Sequence, residues 1–360
     1  MFSGSYNEDD VMFLLKRISL SSTEVEDKEK NIQKGNAHYS EMITHEKAPK
    51  EEYMKLFYDT VKSNGQKFAH HIWLLAKKIQ QDYCKEKEIV IVSLARAGTP
   101  VGVLLKKTLG EISNQKITHY CVSIIRDRGI DQNAMQFIIE NHKDTSIVFV
   151  DGWTGKGVIG KELKNSINEI NKKYNSQISG ELYVVADISG TAYWSATNED
   201  YLIPSAVLNS TVSGLVSRTI LNYDYIGDCD FHGCIYYDSL SNYDVSNWFV
   251  NEIFSIIKEN KGNYKTIYQL EDKILINQIS KSTIKFFMEK YNFQDQNYIK
   301  PGIGESTRVL LRRIPKEIWI KDISAESVKH LVYLAKAKQI KIYTNENLSY
   351  NAIAIIEELD

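Results

Sequence analysis

The 360 residues are 43% hydrophobic and 25% charged, a balance that supplies a sizeable core and, at this length, fits one large domain with a smaller companion. A formal charge of −2 excludes a protein that coats nucleic acid by bulk electrostatics, so any such contact must be local. No uninterrupted apolar run approaches the roughly 20 residues that span a bilayer, and Cys84, Cys121, Cys229 and Cys234 form no paired framework. Acids precede the short apolar run of MFSGSYNEDDVMFLLKRISL, unlike a signal peptide, so the expectation is a reducing cytoplasm and no membrane.

In chain order, DDVMFLLKRI reads as a short amphipathic helix, and residues 1–50 as an arm before the core. From Glu51 to Lys85 the spacing of Leu56, Phe57, Phe68, Ile72, Leu75, Ala76 and Ile79 predicts helix. Strands and helices then alternate: EIVIVSLA, ITHYCVSII, SIVFVD and ELYVVADI are strands, with helices at PVGVLLKKTLG and from Val158 to about Tyr174. Apolar strands divided by helices predict an α/β fold with a doubly wound, mainly parallel sheet over 51–257. A Lys/Asn-rich helical stretch follows Ile257 to about Phe293, and QDQNYIKPGIGES reads as a linker, making 258–305 a helical linker. Residues 306–360 predict a second, smaller α/β domain: strands RVLLRR and EIWIKD, a helix from Ala325 to Gln339, and a strand KIYT. SYNAIAIIEEL fits strand or helix, with helix favoured.

Ligands of doubly wound sheets sit at the carboxyl ends of the strands, where this chain carries ARAGTP, RDRGID and DGWTGKG. After Asp151, glycines let backbone N–H groups converge on an anion at a helix start, and Thr154, Gly155, Lys156 and Gly157 suit a phosphate. The same glycines serve a plain strand-to-helix turn. Their spacing fits neither a Walker A loop nor the dinucleotide fingerprint. Arg96, Ala97 and Gly98 combine small residues with a guanidinium suited to an anion or to a surface ion pair. Arg126 and Arg128 flank a glycine-bearing loop that can close over a ligand or stand as a solvated turn. Asp187 ends another strand. Ser210, Thr211, Ser213 and Arg218 lie in a hydroxyl-rich stretch that suits a pocket wall or a buried turn.

Cys229, His232 and Cys234 cluster in GDCDFHGCIYY without the further pair that zinc needs, so no metal site is expected. A Cys/His peptidase reading stays open if thiol and imidazole meet in space. In the tail, Arg308, Arg312 and Arg313 can grip a phosphate backbone or pair with local acids.

VFVDGWTGKG resembles the phosphoribosyl diphosphate loop of type I phosphoribosyltransferases, and SLARAGTPVG is similar to their pyrophosphate loop. With IPSAVLNSTVSGLVSRT and KPGIGESTRVLLRRIP, the whole chain resembles the phosphoribosyltransferase-like proteins of bacterial tellurite-resistance (Ter) stress operons, which carry a C-terminal Pelota-like RNA-binding domain. That group also bears the name of a cysteine protease, StiP. The resemblance implies a Mg²⁺-dependent transferase in which a nitrogen nucleophile displaces pyrophosphate from phosphoribosyl diphosphate, making a nucleoside-like metabolite in a stress response.

On that reading Asp151 stabilises the ribose cation, with Arg126, Arg128 and Asp187 beside it. Arg96, Ala97, Gly98, Gly152, Thr154, Gly155, Lys156 and Gly157 hold phosphates. Ser210, Thr211, Ser213 and Arg218 take an unknown acceptor, and Arg308, Arg312 and Arg313 bind RNA; a homo-oligomer is compatible. The sequence departs from the enzymes where Gly152 replaces their usual second acid. Two other readings stand beside it: an RNA-binding protein with a non-catalytic phosphoribosyl-ligand-sensing domain, and a Cys/His peptidase.

Overall fold

The apolar runs do pair side by side. In the computed structural model, which describes residues 1–264 and 272–359, six strands form one sheet: β1 (Met12–Leu14), β2 (Glu88–Leu94), β3 (Lys116–Val122), β4 (Ile147–Thr154), β5 (Leu182–Asp187) and β6 (Trp194–Thr197). Their order is β1-β3-β2-β4-β5-β6 and every pair is parallel. Parallel sheets are covered on both faces, and side chains alternate between them. Ile89 and Ile91 join Val148 and Val150 against one helical layer, while Val90, Val92 and Phe149 face the other.

The first layer comprises α2 (Glu51–Asp82), α3 (Gly98–Ile112) and α6 (Ser246–Asn260); the second comprises α4 (Gln132–Asn141) and α5 (Val158–Tyr174). The short α1 (Val25–Gln33) precedes them in the chain. Strand order reverses between β2 and β4, so the crevice where such sheets bind ligands opens between the loops that follow these two strands.

The second domain is a four-stranded sheet, β7 (Ile299–Pro301), β8 (Pro315–Ile320), β9 (Lys341–Thr344) and β10 (Ala352–Ile356), in the order β7-β10-β8-β9 with only β8 and β9 parallel. Ile353 and Ile355 pack with Phe287 of α7 (Lys273–Tyr291), while Ile318 and Ala354 pack with α8 (Ile303–Arg312) and α9 (Lys329–Ala337).

Several expectations change. The segment DDVMFLLKRI is not helical: β1 lies on the sheet edge with Phe13 paired to Cys121, and Lys16–Arg17 pair with Gly233–Cys234. Phe13 and Leu14 are fully buried, so residues 1–50 are part of the first domain's core and not a bare arm. RVLLRR is helical because Ile303, Thr307 and Leu310, spaced by four and three, form one buried stripe. AIAII is a strand whose five residues are all buried in the middle of the sheet, against the helix favoured from sequence. The expected linker contains β7 and the start of α8. Of the helical stretch expected from Ile257 to Phe293, residues 265–271 lie outside the described residues.

The second domain covers the carboxyl ends of the larger sheet. Asp200 accepts from the amides of Ile303 at 2.9 Å and Asn351 at 2.8 Å, and the Tyr350 hydroxyl donates to the Ile188 carbonyl at 3.2 Å. Gly304 lies flat on the Trp153 indole: a Cβ there would stand 2.6 Å from Cε2. Gly304→Ala is therefore expected to push the domains apart and cost about 1–3 kcal/mol. A calorimetric melt indistinguishable from wild type would show that Trp153 yields freely.

Candidate functional site

The loops after β2 and β4 touch. A Cβ on Gly98 would lie 2.9 Å from the Val150 carbonyl and 3.3 Å from Asp151 Oδ1, so only glycine lets α3 start this close to β4. Asp151 Oδ1 accepts the Gly152 amide at 2.7 Å. Burial pushes its carboxyl up to about 6, with Arg308 opposing.

The glycine loop itself is engaged. Thr154 Oγ1 accepts the Gly157 amide at 3.1 Å, and Lys156 Nζ donates to the carbonyls of Gln296 at 2.9 Å and Ile299 at 3.1 Å. Burial, with Lys300 nearby, brings the Lys156 ammonium down to about 7. A Cβ on Gly155 would sit 3.3 Å from both Glu305 Cγ and the Pro301 carbonyl. The helix start that the sequence reading gave to a phosphate is thus roofed by the second domain. Asp187 is also committed, since its oxygens accept from Ser189 N, Ser189 Oγ and Ala192 N, each at 2.8 Å.

A cavity of about 190 Å³ lies beside this roof, lined by Tyr39, Arg96, Ala97, Trp153, Asn209, Ser213, Arg218, Arg308 and Arg312 among others. Arg96 reaches it from the loop after β2, held by Glu46 at 2.5 Å and the Val216 carbonyl at 2.9 Å. Arg218 donates to the carbonyls of Tyr39 and Met42. Arg312 donates to Asn209 Oδ1 through Nε and Nη2. Arg308 lies 4.3 Å above the Trp153 ring and 2.6 Å from Glu305.

The remaining residues singled out from sequence fall elsewhere. Ser210 holds Glu46 through its amide and hydroxyl, Thr211 is buried, and Arg313 pairs with the buried Glu29 of α1. Arg126 pairs with Asp127 and Arg128 with Glu41. Glu46, Glu305, Asn209 and Tyr39 were missed by the sequence reading. Glu46 and Tyr39 lie in segments without a motif; Asn209 and Glu305 lie within the stretches IPSAVLNSTVSGLVSRT and KPGIGESTRVLLRRIP, where nothing local singles them out from their neighbours.

The thiols do not gather. Cys121 and Cys234 are buried, Cys84 and Cys229 exposed, and burial pushes each buried thiol up to about 12. His232 Nδ1 lies 2.8 Å from Ser123 Oγ, and its backbone amide donates to Asp131. Among the described residues no group of three or more His, Cys, Asp or Glu could hold a metal ion, and no helix is long and apolar enough to cross a membrane.

Comparison with known proteins places this arrangement in a lineage. The family described as "Tellurite-like stress resistance cysteine protease StiP" matches residues 4–254. A curated relative, "Cysteine protease StiP" of Acinetobacter baylyi, is 36% identical over 370 residues, covering 99% of this chain and 95% of that protein. The chain belongs to the StiP family. Residues 278–358 also match the family described as the PELOTA RNA binding domain.

Among solved structures, the hypoxanthine phosphoribosyltransferase of Trypanosoma cruzi in complex with IMP shares 12% identity, covering 39% of this chain and 78% of that one, with a TM-score of 0.28. A hypoxanthine-guanine phosphoribosyltransferase of Bacillus anthracis shares 13% identity, covering 38% and 84%, also with a TM-score of 0.28. Likeness at that level carries no argument.

These findings correct the expectation of a Mg²⁺-dependent phosphoribosyltransferase that joins phosphoribosyl diphosphate to a nitrogen acceptor. The StiP relative, alike along the whole chain, is named a cysteine protease. The lysine expected on phosphate is spent on backbone carbonyls of the second domain.

The raised Asp151 carboxyl has a pH consequence. Its folded pKa, about 6, lies above the ordinary value of 3.8, so the folded state binds the proton more tightly and stability falls as pH rises between these values. The gain in stability from Asp151→Asn should be under about 1 kcal/mol at pH 4 and reach about 3 kcal/mol at pH 7.5. Denaturant melts at the two pH values check this, and equal effects at both would reject it.

Proposed function

We propose that this chain is a cysteine peptidase whose chemistry rests on Cys229 and His232. The activity is supported by one observation: 36% identity across 99% of the chain with a protein named a cysteine protease. The residues are supported by elimination. Cys121 and Cys234 are inaccessible, and a thiol at about 12 leaves about one molecule in 10⁵ ionised at pH 7. Cys84 is exposed but precedes β2, at the amino end of the sheet.

Cys229 is exposed and lies three residues before His232, whose ring packs beside Ser123 just past the carboxyl end of β3. Burial holds this imidazole below its ordinary pKa, hence neutral at pH 7 and able to accept a proton. With its own proton on Nδ1 toward Ser123, His232 offers Nε2 as the base. Cys229 gives its proton to Nε2 and the thiolate attacks the scissile carbonyl carbon. The amine leaves with that proton, and water then hydrolyses the thioester. Cys229 makes no hydrogen bond to the ring in this conformation, so this reading requires the 227–231 turn to close onto it when substrate binds. That turn is held by Asp230, which accepts from Gly227 N and Lys16 Nζ.

The partner of the second domain is RNA on the strength of the match over 278–358. Tyr343 stacks on Trp319 with ring centres 4.9 Å apart, and Lys290 lies 4.8 Å from the Trp319 ring. Exposed Lys321 and Lys341 flank this platform, which suits an unpaired base and its phosphates. Four free thiols fit a reducing cytoplasm.

Hydrolysis of fluorescent casein should fall at least 10²-fold in Cys229→Ala and His232→Ala and stay unchanged in Cys84→Ala. Activity surviving Cys229→Ala would overturn the residue assignment, and activity indifferent to iodoacetamide would overturn the class. Tyr343→Ala should weaken binding of single-stranded RNA by about 1–3 kcal/mol, and Lys341→Ala should lower the salt slope by about one. Full RNA affinity in both variants, measured by fluorescence anisotropy, would move the contact face elsewhere.

A further inference from the structure

The second domain leaves an apolar row in solvent. Among the described residues five Ile, Leu or Phe side chains are exposed, and four of them, Ile274, Leu275, Ile279 and Phe286, stand on α7; the fifth is Ile323. Apolar side chains exposed singly need no explanation, whereas a contiguous row marks a contact surface. Leu275, Ile279, Ser282 and Phe286 are spaced by four, three and four, so they fall in one line along the helix, with the spacing of a coiled-coil seam.

The helix cannot roll to hide this row. Its other face puts Ile284 and Phe287 into the core of the second domain, so turning it would expose them instead. Its first turns are tied to the larger domain: Lys273 Nζ donates to the carbonyls of Ala192 at 3.1 Å and Tyr193 at 2.5 Å, and Asn277 Nδ2 to that of Ser189 at 3.0 Å. Asp272 caps the helix by accepting from the Ile274 amide at 2.9 Å. The row thus stands on a fixed support, which lowers the ordering cost of binding.

Shape and charge select the occupant. A line with seam spacing matches a second helix, whereas a strand presents every second residue. Lipid calls for a wider apolar face, and this row is broken by Ser282 and bordered by Gln278 and Thr283. Beside it lies a groove of about 460 Å³ with Ile284, Met288 and Phe293 in its wall, open to a bulky apolar side chain, and Lys281 and Lys285 also line it. Among the described residues Lys281 is in no ion pair, and Lys285 has only Glu289 at 3.7 Å, a weak pair because both side chains are well exposed. A second copy paired about the middle of the row would set these lysines near their twins, which repels.

We propose that the outer face of α7 is the docking surface for an amphipathic helix of another protein, with apolar residues at heptad spacing against Leu275, Ile279 and Phe286 and acidic residues toward Lys281 and Lys285. This interaction stands apart from the peptidase and RNA readings: the row contains none of Cys229, His232, Trp319 and Tyr343.

The test uses the full chain and two synthetic three-heptad peptides with Leu at both seam positions, one carrying Glu and the other Lys beside the seam, read by fluorescence anisotropy at low salt. The Glu peptide should bind at least tenfold more tightly than the Lys peptide, and the difference should shrink at high salt as the charges are screened. Leu275→Ser and Phe286→Ser should each weaken binding of the Glu peptide at least tenfold and leave the melting temperature unchanged, since both side chains are more than half exposed. Lys281→Glu combined with Lys285→Glu should invert the preference between the peptides, a result that loss of fold cannot produce.

No binding of the Glu peptide at ~100 µM, or equal binding of the two peptides, would overturn the proposal. A dimer that Phe286→Ser dissociates, seen by sedimentation, would overturn it in favour of a second copy. Co-sedimentation with phosphatidylserine vesicles that Phe286→Ser abolishes would overturn it in favour of lipid. Loss of single-stranded RNA binding in Phe286→Ser, with peptide affinity unchanged, would give the face to RNA.

Discussion

The ion pair between Arg96 and Glu46, 2.5 Å long and shielded from water, is the contact through which the distant parts of the first domain meet. Glu46 belongs to the chain's first 50 residues, Arg96 to the loop after β2, and Ser210 and Val216 to the hydroxyl-rich stretch that follows the sheet. Burial alone would raise the Glu46 carboxyl, but Arg96, Arg312 and Ser210 outweigh it and hold the pKa below the ordinary carboxylate value. A buried pair of this kind adds little net stability over an apolar pair, yet is expensive to break. Its consequence is register: these segments fit together in one way, with Arg96 locked in the cavity wall.

The second domain depends on the same region. Parallel strands and the helices that follow them direct backbone donors toward one end of the sheet, and such an end is ordinarily open to ligand. Here α8 and β7 sit on it, with Lys156 bonded to second-domain carbonyls, Asp200 to second-domain amides, and Trp153 under Gly304. The glycine loop therefore serves as a docking surface, and the open space shifts sideways to the cavity among the arginines. The lysine that the sequence reading gave to a phosphate thus donates to carbonyl oxygens of a neighbouring domain instead.

Kinship and geometry speak to different parts of the molecule. Full-length identity with a StiP protein fixes the family. The geometry separates the four thiols into two that burial silences and two that solvent reaches, one of which, Cys229, lies three residues before an imidazole that burial holds below its ordinary pKa. The apolar row of α7 belongs to neither consideration. It stands on the helix face that the folded chain leaves exposed.

Residue order by itself determined the alternation of β2 to β5 with their helices, because continuous β-branched runs bounded by glycine and charge have few other places to go. It also located Arg96, Gly98 and Asp151 at strand ends, where the sheet brings them together. It mistook three segments. Residues 12–17 have helical spacing but pair with strands far along the chain; AIAII reads the same in both periods until β8 flanks it; and RVLLRR carries a stripe that only its partners reveal. Hydrophobic pattern reports which faces are buried, not against what.

Tertiary structure decided the rest. Glu46 has no motif, Asn209 is one polar residue of the hydroxyl-rich stretch, and Arg312 was read from sequence as an RNA contact of the tail. They meet only because β1 closes the sheet edge and α8 roofs its end, bringing groups 103 positions apart into one hydrogen bond. Charge balance in a cavity is a property of three-dimensional neighbours, and no local stretch of sequence encodes it.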